Sequence, residues 1–524
     1  MKLFLMISGQ ARARLVQMGA VCAAVALVSG CGNNYRPVIT PVPTTGPAAQ
    51  PSSFAVVVSA PAVTSPGIVT MVDYSGDTIL TQAPIGPGPS VFSIDWFGAD
   101  GYTVNSDGTL SNFPVSTSLQ AKNVTYTTLP PAFQPVNFFT PSSGLYATDI
   151  SSNSVDVFSG FPQSYKLSIP VAPTPVIMTG SAQVAQRDYA VSQGNSQGGN
   201  VASGVTCNQS PSTASLGEVD SIEVATFTVS ARTPAGKCPV YALESTDTRR
   251  VFILNRGDDT ITVINGQTNA LNTCTPFTSQ TGATVNCHPL LPLSLNAVSA
   301  INAQCAATNS TLPPCGGPPN GTAGMTATAG PVFAEYSPIT NQLIVANYDG
   351  GTVSVIDVSL DEYGNDSATF GTTFTIPVGN NPASVTALAD GSRAYTANQT
   401  DGTVSIVNLT SHTFEKTLPV AGHPRTVAST QNSLYGKVYV ASPDSPILTI
   451  IGTNLDLVDT TIPIEGNIVD VRVTTQNATQ GNAFVTSRVP GFGQPCYLPP
   501  SLMTQNYGAN YTLQNCQTLP LASQ

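Results

Sequence analysis

Charge is scarce in this chain. Only 9% of its 524 residues are Asp, Glu, Lys or Arg, and the acids outnumber the bases 29 to 18. An acidic surface repels phosphate backbones, which argues against general nucleic-acid binding. The long Ala/Glu/Lys/Leu runs that helical bundles need are missing too. Histidine occurs three times, as His288, His412 and His423, and there is no C-x-x-C or C-x-x-C-H spacing. That supply of ligands is too thin for a repeated haem or copper centre and speaks against zinc. No cofactor is therefore expected. Walker-type and G-x-G-x-x-G loops are absent, so no nucleotide cradle is expected either. The one extended apolar stretch, Leu15 to Val28, falls short of the ~20 residues a membrane-spanning helix needs.

That stretch has a meaning of its own. Lys2, Arg12 and Arg14 precede it, and Leu27-Val28-Ser29-Gly30-Cys31 closes it. A basic segment, an apolar segment and small residues at the end form an export leader. A plain secretory leader would read the same up to Gly30. The final five residues resemble the lipobox of bacterial lipoprotein signal peptides. The resemblance implies a leader over 1–30 and a mature chain that begins at a lipidated Cys31. Gly32, where an Asp would retain the protein at the inner membrane, implies the outer membrane, on its periplasmic side or at the surface. Removing Lys2, Arg12 and Arg14 takes the 18 basic residues to 15 against 29 acidic, a balance of −14. Pro37, Pro41, Pro43, Pro47 and Pro51 make residues 31–53 an extended linker behind the lipid.

Ten cysteines are present; Cys22 lies in the leader and Cys31 at its end. Cys207, Cys238, Cys274, Cys287, Cys305, Cys315, Cys496 and Cys516 remain, an even set suited to disulfides in an exported chain. Pairing neighbours crosses the chain least, but spacing alone leaves the connectivity open.

From about 54 to 488 one pattern recurs. Val251-Phe-Ile-Leu-Asn255 leads through Arg256-Gly-Asp-Asp259 to Thr260-Ile-Thr-Val-Ile-Asn265. Leu343–Asp357 and Ala394–Asn408 repeat it, with weaker copies starting at Tyr102, Leu145, Tyr189 and Val438. Asn, Asp and Gly suit the turn, and alternating Val, Ile and Thr suit the strands. A third strand follows, ending in Ile376-Pro-Val-Gly379, Leu418-Pro-Val-Ala-Gly422, Ile169-Pro-Val171 or Ile462-Pro-Ile464. A fourth strand opens the next unit. Four strands at roughly 45–60 residues per period is the arithmetic of a propeller. The three clear copies and their "IPVG..P" connectors resemble the YVTN family of β-propeller repeats. A WD40 array does not fit, because Trp96 is the single tryptophan.

The expected fold is therefore all-β, a β-propeller of four-stranded antiparallel blades. Channel-lining strands begin near Ser90, Val136, Pro175, Val240, Val332, Ser384, Arg425 and Asp470. They favour eight blades, with seven remaining if one early unit is miscounted. The last strand should pair with Phe54–Val58 and Gly67–Val72 to close the ring, because an open ring leaves a bare edge. Residues 194–216 and 272–325 break the period and read as loop insertions stapled by disulfides. Residues 489–524 read as a disulfide-held strap.

Chemistry is sparse. Asp95, Glu244, Glu335, Arg425, Asp470 and Arg472 fall on channel-lining strands, where mixed charges at a channel mouth can bind a small polar ligand. No residue is assigned as catalytic, and no metal ligand is assigned. Arg256-Gly-Asp258 reads as a hairpin turn, and Asp361–Asp366 as a solvated acidic loop. Each histidine reads as a surface or turn residue. The expected function is a lipid-anchored binding scaffold at the cell envelope, leaning away from enzymatic activity, with the long insertions as recognition elements. Its partner is an unknown protein or envelope component. The alternative is a hydrolase of the lactonase-like propeller class with its site at the channel mouth.

Overall fold

Short apolar hairpins are the building unit, and their turns set the register. Arg250–Asn255 pairs with Thr260–Asn265 without a slip, as do Gln342–Asn347 with Thr352–Asp357 and Arg393–Asn398 with Thr403–Asn408. The last turn residue is left-handed in all three: Asp259, Gly351 and Gly402 have φ of 56°, 61° and 64°. Asp and Gly tolerate that region.

The computed structural model describes residues 53–474 except 63, 75, 96–97, 141–143, 161, 181–186, 195–215, 279–281, 283, 362 and 430–435. Outside the described residues lie the leader, almost all of the linker, Cys31, Trp96, Cys207, nearly all of the 194–216 insertion, and the 489–524 tail with Cys496 and Cys516.

The chain forms eight four-stranded antiparallel sheets arranged as the blades of a propeller. Their innermost strands are Val91–Ile94, Pro135–Phe139, Pro175–Gly180, Pro239–Glu244, Pro331–Ser337, Pro382–Ala387, Thr426–Ser429 and Asn467–Val473. Each touches the next, and the last touches the first, so the ring closes. Blades two to eight take the first seven strands in order. Blade one takes Asn467–Val473, which pairs with Phe54–Ala60, followed outward by Pro66–Asp73 and Ile79–Pro87. The amide of Phe54 donates to Thr474 Oγ1 at 2.9 Å, 420 residues further along the chain. This closure settles the blade number at eight.

Blade faces pack on one another to make the core. Between blades five and six, Phe252, Ile261 and Val263 meet Leu343, Val345 and Ile356, all fully buried. Such sheets contribute stability in proportion to the apolar area they hide, about 25 cal/mol per Å².

A polar stitch joins adjacent blades. Asn255, ending the second strand of blade five, donates from Nδ2 to Thr260 Oγ1 (3.1 Å) and Thr262 Oγ1 (2.9 Å). Asn105, Asn347 and Asn398 make the same pair of bonds at 2.8–3.0 Å. Thr262 in turn accepts from the amide of Gly236, on the outermost strand of the preceding blade. The asparagine leaves no room for a side chain there. A Cβ on Gly86, Gly236 or Gly379 would sit 2.2–2.6 Å from Asn105, Asn255 or Asn398 respectively. The glycine of the Ile-Pro-Val-Gly connector is thus dictated by the next blade. Where the asparagine becomes serine the glycine is free to change. Ser442 faces Ala421 and donates to its carbonyl, and Ser59 donates to the carbonyl of Glu465 at 2.7 Å.

The 272–325 segment is more structured than a loop. It departs from inside the outermost strand of blade five, whose two pieces, Ala270–Leu271 and Leu290–Pro292, both pair with Thr260–Asn265. Between them a hairpin emerges, closed at its neck by Cys274–Cys287 and containing the ladder Phe277–Thr278 with Thr284–Val285. A helix, α1, follows over Leu295–Thr308. Ser294 caps it by accepting from Ala297 N at 3.1 Å, and Asn309 ends it with a left-handed φ of 51°. Cys305 on α1 is bonded to Cys315. Both disulfides join neighbouring cysteines. Cys238 is buried and also disulfide-bonded; Cys207, its neighbour in the chain, lies outside the described residues.

Candidate functional site

Two places gather chemistry: the centre of the ring and the surface around the 272–325 insertion.

Register places two rings of eight side chains along the innermost strands. One ring holds Asp470, Asn137, Tyr241 and Phe333 with smaller residues; the next holds Arg472, Phe139, Glu335 and Thr386 with others. Residues between the rings, such as Val471, Ala242, Ala334 and Val385, are buried between blades. The alternation follows from the two-residue period of a strand.

Three of the six channel residues named from sequence fall in these rings. Arg472 contacts Asp470 at 2.9 Å, and 42% of its side chain stays accessible, as expected of a group facing an open channel. The Asp470 charge raises the Arg472 pKa further. Glu335 lies in the second ring, where burial pushes its carboxyl up to about 7 even though Thr386 and the Ala387 amide bond to it. Tyr241 interacts electrostatically with both Arg472 and Glu335, and burial raises its hydroxyl to about 12. Arg425 sits beside the ring, donating to Val469 O at 2.8 Å. Asp95 stands apart, capping a hairpin turn by accepting from Ala99 N (2.6 Å) and Asp100 N (2.8 Å).

Glu244 belongs to a different cluster. It ends its strand next to Asp188 of blade four, which is 1% exposed. Among the described residues, both Asp188 oxygens and Glu244 Oε2 are buried without a hydrogen-bond partner. Burial pushes Asp188 up to about 8, and burial with the Asp188 charge raises Glu244 well above the usual range. Among the described residues, no group of three or more His, Cys, Asp or Glu is placed to hold a metal.

The insertion site is built on a buried ion pair. Arg250, 1% exposed at the start of its strand, donates from Nη2 to Asp366 Oδ1 at 2.7 Å and from Nε at 3.2 Å. Asp366 comes from the loop between the third and fourth strands of blade six. Its other oxygen accepts from Asn272 Nδ2 (2.8 Å), the His288 amide (2.9 Å) and His288 Nδ1 (3.0 Å). Burial alone would raise the Asp366 carboxyl; the His288 bond and the Arg250 charge hold it below the usual value. One carboxylate thus locks blade five, blade six and the root of the insertion together. Asp366 is therefore not a solvated loop residue; Asp361, partly buried, accepts from Tyr363 N and Asn365 N at 2.9 Å.

His288, stacked on Phe370 with ring centres 5.2 Å apart, faces a cavity of about 270 Å³. Leu290, Leu291, Pro313, Pro314, Pro318 and Pro319 supply its apolar wall, and Thr284, Asn286 and Ser367 its other polar groups. The sequence named His288 without its partners, because nothing in the chain marks Arg250, Asn272 and Asp366 as neighbours.

The remaining motifs resolve into structure. Arg256 pairs with Asp349 of blade six at 2.8 Å, while Asp258 accepts from Thr260 Oγ1 and Lys237 N, so Arg256-Gly-Asp258 is a structural turn. His412 stacks on Phe374, and His423 pairs with Asp444 at 2.5 Å. The expectation that the chain holds no Gly-x-Ser-x-Gly is corrected by Gly194-Asn-Ser196-Gln-Gly198, which has the spacing of a hydrolase nucleophile elbow. Such an elbow tops a parallel α/β sheet, and every ladder among the described residues is antiparallel. Residues 195–198 themselves lie outside the described residues.

No family model matches the chain, and no curated protein matches it. Solved structures do. Apo AztD from Citrobacter koseri superposes with a TM-score of 0.51 at 12% identity, covering 80% of this chain and 97% of that one. A second structure of Citrobacter koseri AztD gives 0.50 at 10% identity, with the same coverage. The dihydro-heme d1 dehydrogenase NirN, in complex with DHE, gives 0.50 at 12% identity, covering 82% of this chain and 77% of that one. At such identities the likeness is one of fold, and the fold is the β-propeller.

Proposed function

We propose that this propeller is a binding scaffold of the bacterial cell envelope, tethered by lipid on Cys31, with the 272–325 insertion as its recognition element. The observation that carries the reading is the anchoring of that insertion. It is spliced into a blade strand, closed by two disulfides and pinned by the Asp366 carboxylate. A surface held this firmly loses little conformational entropy on binding, so contact energy converts to affinity. The resemblance of the leader to a lipobox supports the envelope location.

The test is capture from envelope extract by the mature chain, beside a variant with 273–289 and 294–325 replaced by short turns. One partner retained by the first and lost by the second is the expected result. Equal recovery by both would refute the role of the insertion. Replacing Cys31 by Ser should move the protein from the membrane to the soluble fraction.

A further inference from the structure

The cavity at His288 has a chemistry more specific than a generic recognition surface. Asp366 Oδ2, 3.0 Å from Nδ1, is an acceptor only, so that nitrogen carries the ring proton. With the proton on Nδ1, Nε2 is the ring nitrogen left to accept a hydrogen bond, and His288 lines the cavity. The Asp366 bond and the Phe370 stack hold the ring in one orientation at the cavity. Among the described residues, no Asp, Glu, Lys or Arg lines the cavity. Its wall is leucine and proline, which offer C–H surface to a flat ring and suit the negative face of an aromatic system. The volume of about 270 Å³ is at the small end for ligand pockets, about right for a single ring with its substituents.

From this juxtaposition we infer that the cavity binds a neutral phenolic ring, its hydroxyl donating to His288 Nε2 and its face against Pro313, Pro314, Pro318 and Pro319. The ring can belong to a free phenol or to a tyrosine presented by the scaffold's partner. This deepens the scaffold reading by naming the chemistry that the insertion recognises, and in the second case it rests on that reading.

The experiment uses the intact mature chain labelled with 15N-histidine, which gives signals from only three rings. p-Cresol, toluene and N-acetyl-tyrosinamide are titrated separately. p-Cresol should shift the His288 ring signal and leave His412 and His423 in place. Toluene, lacking the hydroxyl, should bind at least about tenfold more weakly, because a site built for a donor rejects the analogue without one. Ala368→Trp, an exposed position on the cavity lining, should block p-cresol without touching the core. Equal binding of toluene, an unmoved His288 signal, or unchanged binding in Ala368→Trp would each overturn the inference. Binding of N-acetyl-tyrosinamide as well assigns the ring to a partner's tyrosine; binding of p-cresol alone assigns it to a free phenol. Partner capture is not involved, so the scaffold reading and this one fail separately.

Discussion

Alanine at position 379 should weaken the seam between blades six and seven, and serine at 398 should repair it. A Cβ on Gly379 would lie 2.6 Å from Asn398 Cγ and 2.8 Å from Asn398 Cβ. The second contact cannot be cleared by turning the asparagine side chain, which is also held by Thr403 and Ser405 at 3.0 and 2.8 Å. Overpacking of this kind costs about 1–3 kcal/mol. Gly379 has no positive φ, so the backbone accepts alanine, and the stiffer unfolded chain returns about 0.4–1 kcal/mol. The net loss should be about 1–2 kcal/mol. Asn398→Ser alone gives up two hydrogen bonds and should cost a similar amount. Together the two changes recreate the Ala421–Ser442 arrangement already present between blades seven and eight. The double variant should therefore be more stable than the sum of the singles by at least about 1 kcal/mol, a coupling that a double-mutant cycle reads directly. Urea midpoints are the better assay, because a 1–2 kcal/mol loss moves the thermal midpoint of a chain this long by only about 1–2 °C. Strict additivity, or a neutral Gly379→Ala, would refute the argument that the connector glycine answers to the next blade.

Asp366→Ala leaves Arg250 buried without its anion and should cost about 3–5 kcal/mol; calorimetry measures the loss, and hydrogen exchange should show Asn272–Leu293 opening first. Asp188→Asn should change the pH dependence of stability. The Asp188 carboxyl is raised from 3.8 to about 8 by burial, so the folded state holds a proton that the unfolded chain releases near pH 4. This group therefore takes up to a few kcal/mol of stability from wild type as pH rises from about 4 to 8, a loss the amide is spared while the raised Glu244 keeps its own. Urea midpoints at pH 5 and pH 8 should show the advantage of the variant growing with pH; a constant difference would contradict the assignment. Replacing Cys274 and Cys287 by Ser should cost about 2–4 kcal/mol locally, seen as faster exchange at Phe277–Val285 with the blades unchanged.

The ring was legible in the chain and the pinned insertion was not, for a physical reason. Strand alternation and turn chemistry are local, so Val251–Asn265 and its copies announce hairpins, and counting their successors gives eight. α1 gave no such signal: of its 14 residues only Ala297 and Ile301 are buried, so it carries no apolar stripe at helical spacing. Ser294 and Asn309, its caps, were the available clue. Asp366 reads as solvated because it closes the polar run Asp361–Asp366, and its true partner, Arg250, is 116 residues away. Glu244 was grouped with the channel by its strand, yet it sits one residue beyond the second ring and turns to Asp188 instead. Side-chain pairings between residues far apart in the chain, such as Arg250 with Asp366, leave no trace in a single sequence.

The closing blade has a consequence for assembly. Its second strand, Phe54–Ala60, is made first and its innermost strand, Asn467–Val473, last. Until the final strand arrives, Val56 to Val58 present a bare ladder edge that invites foreign strands. A chain cut short before Asn467 is therefore an open crescent, sticky at both tips, however well its middle has folded. The lock that closes the ring is the last blade strand to be made, and every blade built earlier must wait for it.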